Sequence, residues 1–173
     1  MKIIGYIYTE SGPEMVLKGD SCLLNGRKPF FLPEGSTEIG YTPCLILRVS
    51  RLGKSISPAF ANRYYDAVAQ GADFIALDLA REAKAAGRPW TQALAFDYSL
   101  VIGKYMEPSA LSIQPSEYVL TPEEAVSQAS KVMTIRQGDL IYIQAAKAPQ
   151  RVQKEDIIRY ELNGEESVYC KIK

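Results

Sequence analysis

Any chemistry in this chain has to be done without histidine, because the sequence contains none. That absence removes the commonest general base and the commonest transition-metal ligand. It also excludes Ser-His-Asp and Cys-His nucleophiles and every histidine-based zinc site. What remains are carboxylates, lysines, tyrosines, serines and three cysteines. Cys22, Cys44 and Cys170 are few, odd in number and widely spaced, as free thiols in a reducing cytosol are. Asp73 sits in the apolar run Ala72-Asp73-Phe74-Ile75. A lone buried carboxylate there is costly unless hydrogen-bonded, so a structural role suits it. Cys44 with Asp73 offers two donors to a softer ion such as Zn²⁺, a poor set without histidine, and core packing is the plainer role for the thiol. Ser11 has no histidine to activate it, and Lys18 is the substitute base on offer. Asp78 and Asp97 suit turn or cap hydrogen bonds. Trp90, after Pro89, suits a core anchor. Lys147, Arg151 and Lys154 form a mild basic run of the kind found on solvated loops.

The elements that must position these groups are short and mostly strands. The chain has 173 residues, which fits one domain able to remove roughly 70% of its unfolded surface from water. Hydrophobic residues make up 47% and the charges balance at 20 of each sign, so nothing electrostatic points to nucleic acid or to an anionic membrane. The opening residues alternate and reach polar Thr9 without a signal-peptide core, and no apolar run approaches the ~20 residues of a membrane span. A cytoplasmic protein is the expectation.

Alternation and apolar runs predict strands over 2–9, 22–24, 30–32, 44–49, 73–79, 98–105, 140–144, 156–162 and 167–172. Ser57-Pro58 and Gly71 bracket a predicted helix over 57–70, and residues 80–86 before Gly87 form a second. Thr121-Pro122-Glu123-Glu124 is a capping box with proline at the first helical position, opening a helix to about Met133. Asn163-Gly164 is a strong hairpin signal. The fold class is mixed α/β and strand-rich.

Several stretches, taken in order, carry a family resemblance. They are the run from Arg48 to Ile56, then Phe60-Ala61 and Arg63-Tyr64-Tyr65-Asp66; the run from Gly71 to Leu79; Gly87-Arg88-Pro89-Trp90 with Ala93 and Ala95-Phe96-Asp97; and Gln137-Gly138-Asp139-Leu140-Ile141-Tyr142. Together these resemble the fumarylacetoacetate hydrolase family along most of the chain. The resemblance implies a β-sandwich-like roll with flanking helices, spanning 1–173 as a single domain and paired as a homodimer. It also implies a bound Mg²⁺ or Mn²⁺ and hydrolysis, decarboxylation, hydration or isomerisation of a small oxo-acid.

Carried over residue by residue, the family's site is largely missing. Its Glu-x-Glu metal ligands fall on Thr42 and Cys44, while its third ligand is kept as Asp73. The active-site lysine falls on Leu94 and the arginine on Leu77. The family's N-terminal Gly-x-Asn-Tyr-x-x-His-x-x-Glu is matched by Gly5, Tyr8 and Glu14, with Ile7 for its asparagine and Ser11 for its histidine. The Thr-Gly-Thr-Pro pocket strand is replaced by Gln144-Ala145-Ala146-Lys147. Between Tyr105 and Thr121 the chain is too short for the strand pair of relatives. A hydroxyl and a thiol do not replace two anionic oxygens for Mg²⁺, so no cofactor is expected. The sequence thus points to a non-catalytic binding or partner protein, with Glu14 and Asp73 as residual site residues. The alternative is a divergent enzyme acting on a small oxo-acid through Asp73, Glu14 or a lysine.

Overall fold

The computed structural model describes residues 1–110, 114–162 and 164–173. Its strands are β1 (Ile3–Ile7), β2 (Glu14–Lys18), β3 (Leu23–Asn25), β4 (Ile39–Val49), β5 (Tyr65–Ala76), β6 (Leu100–Ile102), β7 (Leu140–Gln144), β8 (Gln150–Arg151), β9 (Ile157–Leu162) and β10 (Glu165–Lys171). The helices are α1 (Leu77–Ala85), α2 (Thr91–Leu94) and α3 (Pro122–Val132). The strand-rich mixed α/β class expected from the sequence is what forms. The chain gathers into two compact units. The first holds Met1–Asp20, Cys44–Ala69 and Tyr105–Lys147, and the second Ser21–Pro43, Gln70–Lys104 and Ala148–Lys173. β4 and β5 each give one half to either unit.

In the first unit the strand order is β2-β1-β7-β4-β5. β1 runs antiparallel to β2 and parallel to β7, and β7 runs antiparallel to β4. Period-two alternation sends Ile4, Tyr6, Leu45, Leu47, Ile141 and Ile143 to one face, where they pack with Ala125, Val126 and Ala129 of α3. α3 begins as its sequence predicts. The Thr121 hydroxyl accepts from Glu124 N at 3.2 Å, and the Glu124 carboxylate accepts from Thr121 N at 2.9 Å.

In the second unit the early half of β4 pairs with β8, the late half of β5 pairs antiparallel with β6, and β6 lies parallel to β3. Phe30 stacks on Phe74 at 4.0 Å between ring centroids, within a core that includes Leu24, Ala72, Val101, Val168 and Cys170. β9 and β10 form the expected hairpin. Asn163 of its turn signal lies outside the described residues, and Gly164 takes φ +79°.

Two expectations are corrected. The helix predicted over 57–70 is a 3₁₀ turn, Pro58–Arg63, followed directly by strand β5. Ala67 and Ala69 favour a helix in isolation, but both are buried in a strand flanked by others, and tertiary packing overrides propensity. The strand predicted over 73–79 ends instead at Ala76, where α1 starts. Asp78 explains the break. Its carboxylate accepts from Ser36 Oγ at 2.6 Å, Thr37 N at 2.7 Å, Thr37 Oγ1 at 3.0 Å and Leu79 N at 2.9 Å, so it ties an upstream loop to the first turn of the helix. Desolvation alone would raise its pKa, but these hydrogen bonds outweigh it and hold the carboxyl far below the usual range. Strand β2 and the extension of β4 back to Ile39 were not anticipated. Among the described residues no helix is long and apolar enough to cross a membrane.

Candidate functional site

On β4, Thr42 and Cys44 are two residues apart and therefore share a face, and both are buried. Thr42 Oγ1 has no hydrogen-bond partner among the described residues. Its neighbour Tyr41 faces the other way, with its ring 6.2 Å from that of Phe74 in the second unit's core. On β5, Ala72 and Phe74 belong to that core, so Asp73 between them points to the opposite face, in register with Leu100. Asp73 is fully buried and is not left without a partner.

These positions offer a hydroxyl, a thiol and one carboxylate. A hard divalent cation wants about six oxygens, several of them anionic. Among the described residues no three Cys, Asp or Glu side chains gather so as to hold a metal ion. The donor set therefore does not fit the Mg²⁺ or Mn²⁺ that the resemblance implies, nor does Cys44 with Asp73 complete a zinc set.

Glu14 opens β2 opposite Ile7 and is exposed. Ser11 lies in the turn before it, with its Oγ 3.1 Å from Thr9 Oγ1. Lys18 closes the same strand, about 13 Å beyond Glu14 at ~3.3 Å per residue. The pairing of Ser11 with Lys18 as nucleophile and base is therefore not realised. Leu94, at the family's lysine position, is buried. Gln144, at the head of the replaced pocket strand, accepts from Tyr8 N through its side-chain oxygen at 2.8 Å.

The first unit also shows Lys18, the substitute base on offer in the sequence, in a buried setting that the sequence did not reveal. Lys18 is 3% exposed and Tyr142 is fully buried, with the ammonium 5.8 Å from the Tyr142 ring centroid. Gly5 makes this possible, since a Cβ there would fall inside the Tyr142 ring. A glycine inside the apolar strand Ile3-Ile4-Gly5-Tyr6-Ile7 was the available signal of such a close approach.

Among the described side chains with displaced pKa values, the tyrosines and carboxylates move away from neutrality. Burial pushes Tyr6 and Tyr118 up to about 12, with Cys44 and Glu117 adding to the effect at Tyr118. Asp66, Asp78 and Asp139 are held low. General acids and bases that work near neutral pH need the reverse displacement.

Comparison with known proteins identifies the fold. No family model matches the chain. It is 24% identical over 181 residues to the mitochondrial oxaloacetate tautomerase FAHD1 of Mus musculus, an alignment covering 94% of this chain and 82% of that protein. Among solved structures it is similar to the fumarylpyruvate hydrolase of Pseudomonas aeruginosa in complex with Mn²⁺ and pyruvate, with a TM-score of 0.82 and 20% identity over 99% of this chain and 89% of that one. It is also similar to the 2-hydroxyhepta-2,4-diene-1,7-dioate isomerase of Mycobacterium marinum, with a TM-score of 0.77 and 21% identity over 99% and 73% of the two chains. The structural likeness establishes the fold. That fold is the one seen in a fumarylacetoacetate hydrolase family protein from Yersinia pestis, with a TM-score of 0.84 and 19% identity over 99% of this chain and 91% of that one, and the collinear sequence likeness over nearly the whole chain accords with the resemblance to that family.

Proposed function

We propose that this chain is a non-catalytic member of its family, a binding or partner protein that acts without a divalent metal ion. The observation that carries the reading is the donor chemistry at positions 42 and 44, a hydroxyl and a thiol where the family's ligands are carboxylates. The leucines at 77 and 94 and the serine at 11 support it, as do the pKa displacements away from neutrality. A small oxo-acid is the ligand class in keeping with its relatives. The purified protein is expected neither to hydrolyse acylpyruvates nor to decarboxylate or tautomerise oxaloacetate above background with Mg²⁺ or Mn²⁺. Its melting temperature should not respond to millimolar amounts of either ion. Metal-dependent turnover abolished by Asp73→Ala would overturn the reading.

The second reading is a metal-independent enzyme acting on a small oxo-acid. It is favoured by the likeness to an oxaloacetate tautomerase over 94% of the chain and by the presence of a buried lysine. Turnover in excess chelator, lost in Lys18→Met, would select it.

The chain is further expected to form a homodimer burying at least ~1,000 Å², a size typical of specific interfaces. Light scattering at micromolar concentration checks this, and a strict monomer would refute it.

A further inference from the structure

The charges of the chain balance overall, but the first unit does not spread them evenly. Residues 50–64 and 125–138 contain no aspartate or glutamate, yet they carry Arg51, Lys54, Arg63, Lys131 and Arg136, all of them exposed. The fold brings the two segments together. Gly53 N donates to Ile135 O and Ile135 N to Gly53 O, each at 3.0 Å, and Ser55 N donates to Ser130 O at 2.9 Å. Ser50 N donates to Tyr64 O at 2.9 Å, which closes the first segment into a loop against the end of α3. Ile135 is buried in the unit's core, so the residues that flank this antiparallel bridge turn outward: Leu52 and Lys54 on one side, Arg136 on the other.

Apolar side chains stand among these cations. Leu52 is 68% exposed, Val132 63% and Phe60 51%. The Arg63 guanidinium lies 4.9 Å from the Phe60 ring centroid, and that of Arg51 5.9 Å from the Tyr64 centroid. None of the five cations belongs to an ion pair among the described residues. The acids that flank the two segments in sequence are engaged elsewhere. Asp66 accepts from Arg48 at 2.8 Å, Asp139 from Lys2, Glu123 from the Tyr65 hydroxyl at 3.1 Å, and Glu124 from Thr121 N at the start of α3.

We propose that this face of the first unit docks on an anionic lipid bilayer, as a peripheral contact with the headgroup layer. An exposed apolar patch rimmed by charge marks an interaction surface, and its single sign of charge calls for an anionic partner. Three features select the bilayer. A second copy meeting this face across a two-fold axis would set cations against cations. Protein interfaces are depleted of lysine, whereas Lys54 and Lys131 serve as well as arginine against anionic headgroups. Leu52 projects from a loop, Val132 from the last residue of α3 and Phe60 from the 3₁₀ turn. They can enter the boundary of the acyl chains while the long cationic side chains stay at headgroup level. Attachment of this kind needs neither a membrane-spanning segment nor a net charge on the chain. The overall balance, which gave no electrostatic pointer to a membrane, averages this segregation away. The proposal is independent of whether the chain turns over an oxo-acid.

The test sediments the native chain with sucrose-loaded vesicles of phosphatidylcholine alone, or of phosphatidylcholine with phosphatidylserine at about 30%. Binding is expected only to the anionic vesicles. It should weaken about ten-fold or more between ~0.1 M and ~1 M salt, as the screening length shrinks from ~10 Å to ~3 Å. Arg51→Glu/Lys54→Glu should bind at least about ten-fold less tightly, and Leu52→Ser/Val132→Ser should bind more weakly as well. All four positions are exposed, so melting temperatures should stay close to the native value and show that the variants are folded. Lys147→Glu removes an exposed cation beyond the opposite end of β7 from Arg136, and it should bind as the native chain does.

No binding to the anionic vesicles, equal binding to both kinds of vesicle, or undiminished binding by Arg51→Glu/Lys54→Glu would overturn the proposal. So would binding to polyglutamate without binding to the vesicles, which would assign the face to an acidic protein segment instead. None of these readouts involves turnover or a metal ion, so their failure leaves the proposed function standing.

Discussion

Gly103→Ala is expected to be among the most destabilising single substitutions in the second unit, by roughly 3 kcal/mol, at the upper end of overpacking costs. Gly103 follows β6, and its N–H donates to Gln70 O at 2.9 Å. A Cβ at this position would overlap the backbone oxygen of Ser167 and come within 2.6 Å of Val168 Cγ2 and 3.0 Å of Gln70 O. Two of those three atoms are backbone carbonyls, which cannot swing aside as a side chain can. Each is also engaged, Gln70 O by Gly103 itself and Ser167 O by Lys104 N at 3.0 Å. Ser167 is held further through its hydroxyl, which bonds the Gln70 side chain and, at 3.1 Å, Tyr160 O. Making room for the methyl group therefore means breaking one of these hydrogen bonds or shifting β10. Gly35→Ala is the control, because nothing lies within 4 Å of its added Cβ. Urea denaturation compares the two variants, and a Gly103→Ala protein as stable as Gly35→Ala would refute the steric account.

The sequence was most legible where local chemistry and tertiary context agree. The capping box over Thr121–Glu124 led to α3, and the apolar run after Gly138-Asp139 became β7 with the expected bounds. It was least legible where small residues are pressed into strands. Ala67, Ala69 and Ala72 carry little strand signal, and what makes them β5 is the neighbouring strands, which no local window contains. The family resemblance found Thr42, Cys44 and Asp73 because they lie beside runs that match the family's in order. Lys18 enters from the sequence only as a substitute base for Ser11, and its burial is seen only in the fold. It stands opposite Ile3, and the Tyr142 ring near its ammonium lies over Gly5, an arrangement that depends on the register of β1. Resemblance can thus align positions with a family pattern, but which side chains are buried together becomes visible only with the fold.

That register is itself fixed by a charged group, which leads to the second large effect. Asp139 precedes β7 and is 4% exposed. One carboxylate oxygen accepts from Lys2 N at 2.9 Å, and the other accepts from the Lys2 ammonium at 2.5 Å and from Arg136 N at 2.9 Å. Its backbone oxygen accepts from Val49 N at 2.9 Å, while Leu140 N donates to Lys2 O at 3.0 Å. Asp139 thereby joins the start of β1 to β7 and to the end of β4, the alignment that sets Gly5 beside Tyr142. In Asp139→Asn an amide NH₂ at the second oxygen's position would face two donors. The substitution should cost about 2–3 kcal/mol, below the full value of a buried pair because Lys2 is 36% exposed. The sign of the pH dependence follows from the displaced pKa. Desolvation would raise the carboxyl's pKa, but the bonds from Lys2 and Arg136 outweigh it and hold the folded value below the ordinary one. The contribution is therefore fully present above the unfolded value, about 3.9, and is lost as pH falls through the lower folded value. Urea melts of the native and Asp139→Asn proteins should differ most near neutrality, begin to converge as pH falls through about 4, where the unfolded chain's carboxyl takes up its proton, and meet below the lower folded value. A gap that stayed constant from neutral pH into acid would mean that the charge of Asp139 is not what anchors β1. The close approach of the Tyr142 ring to Gly5 would then need another cause.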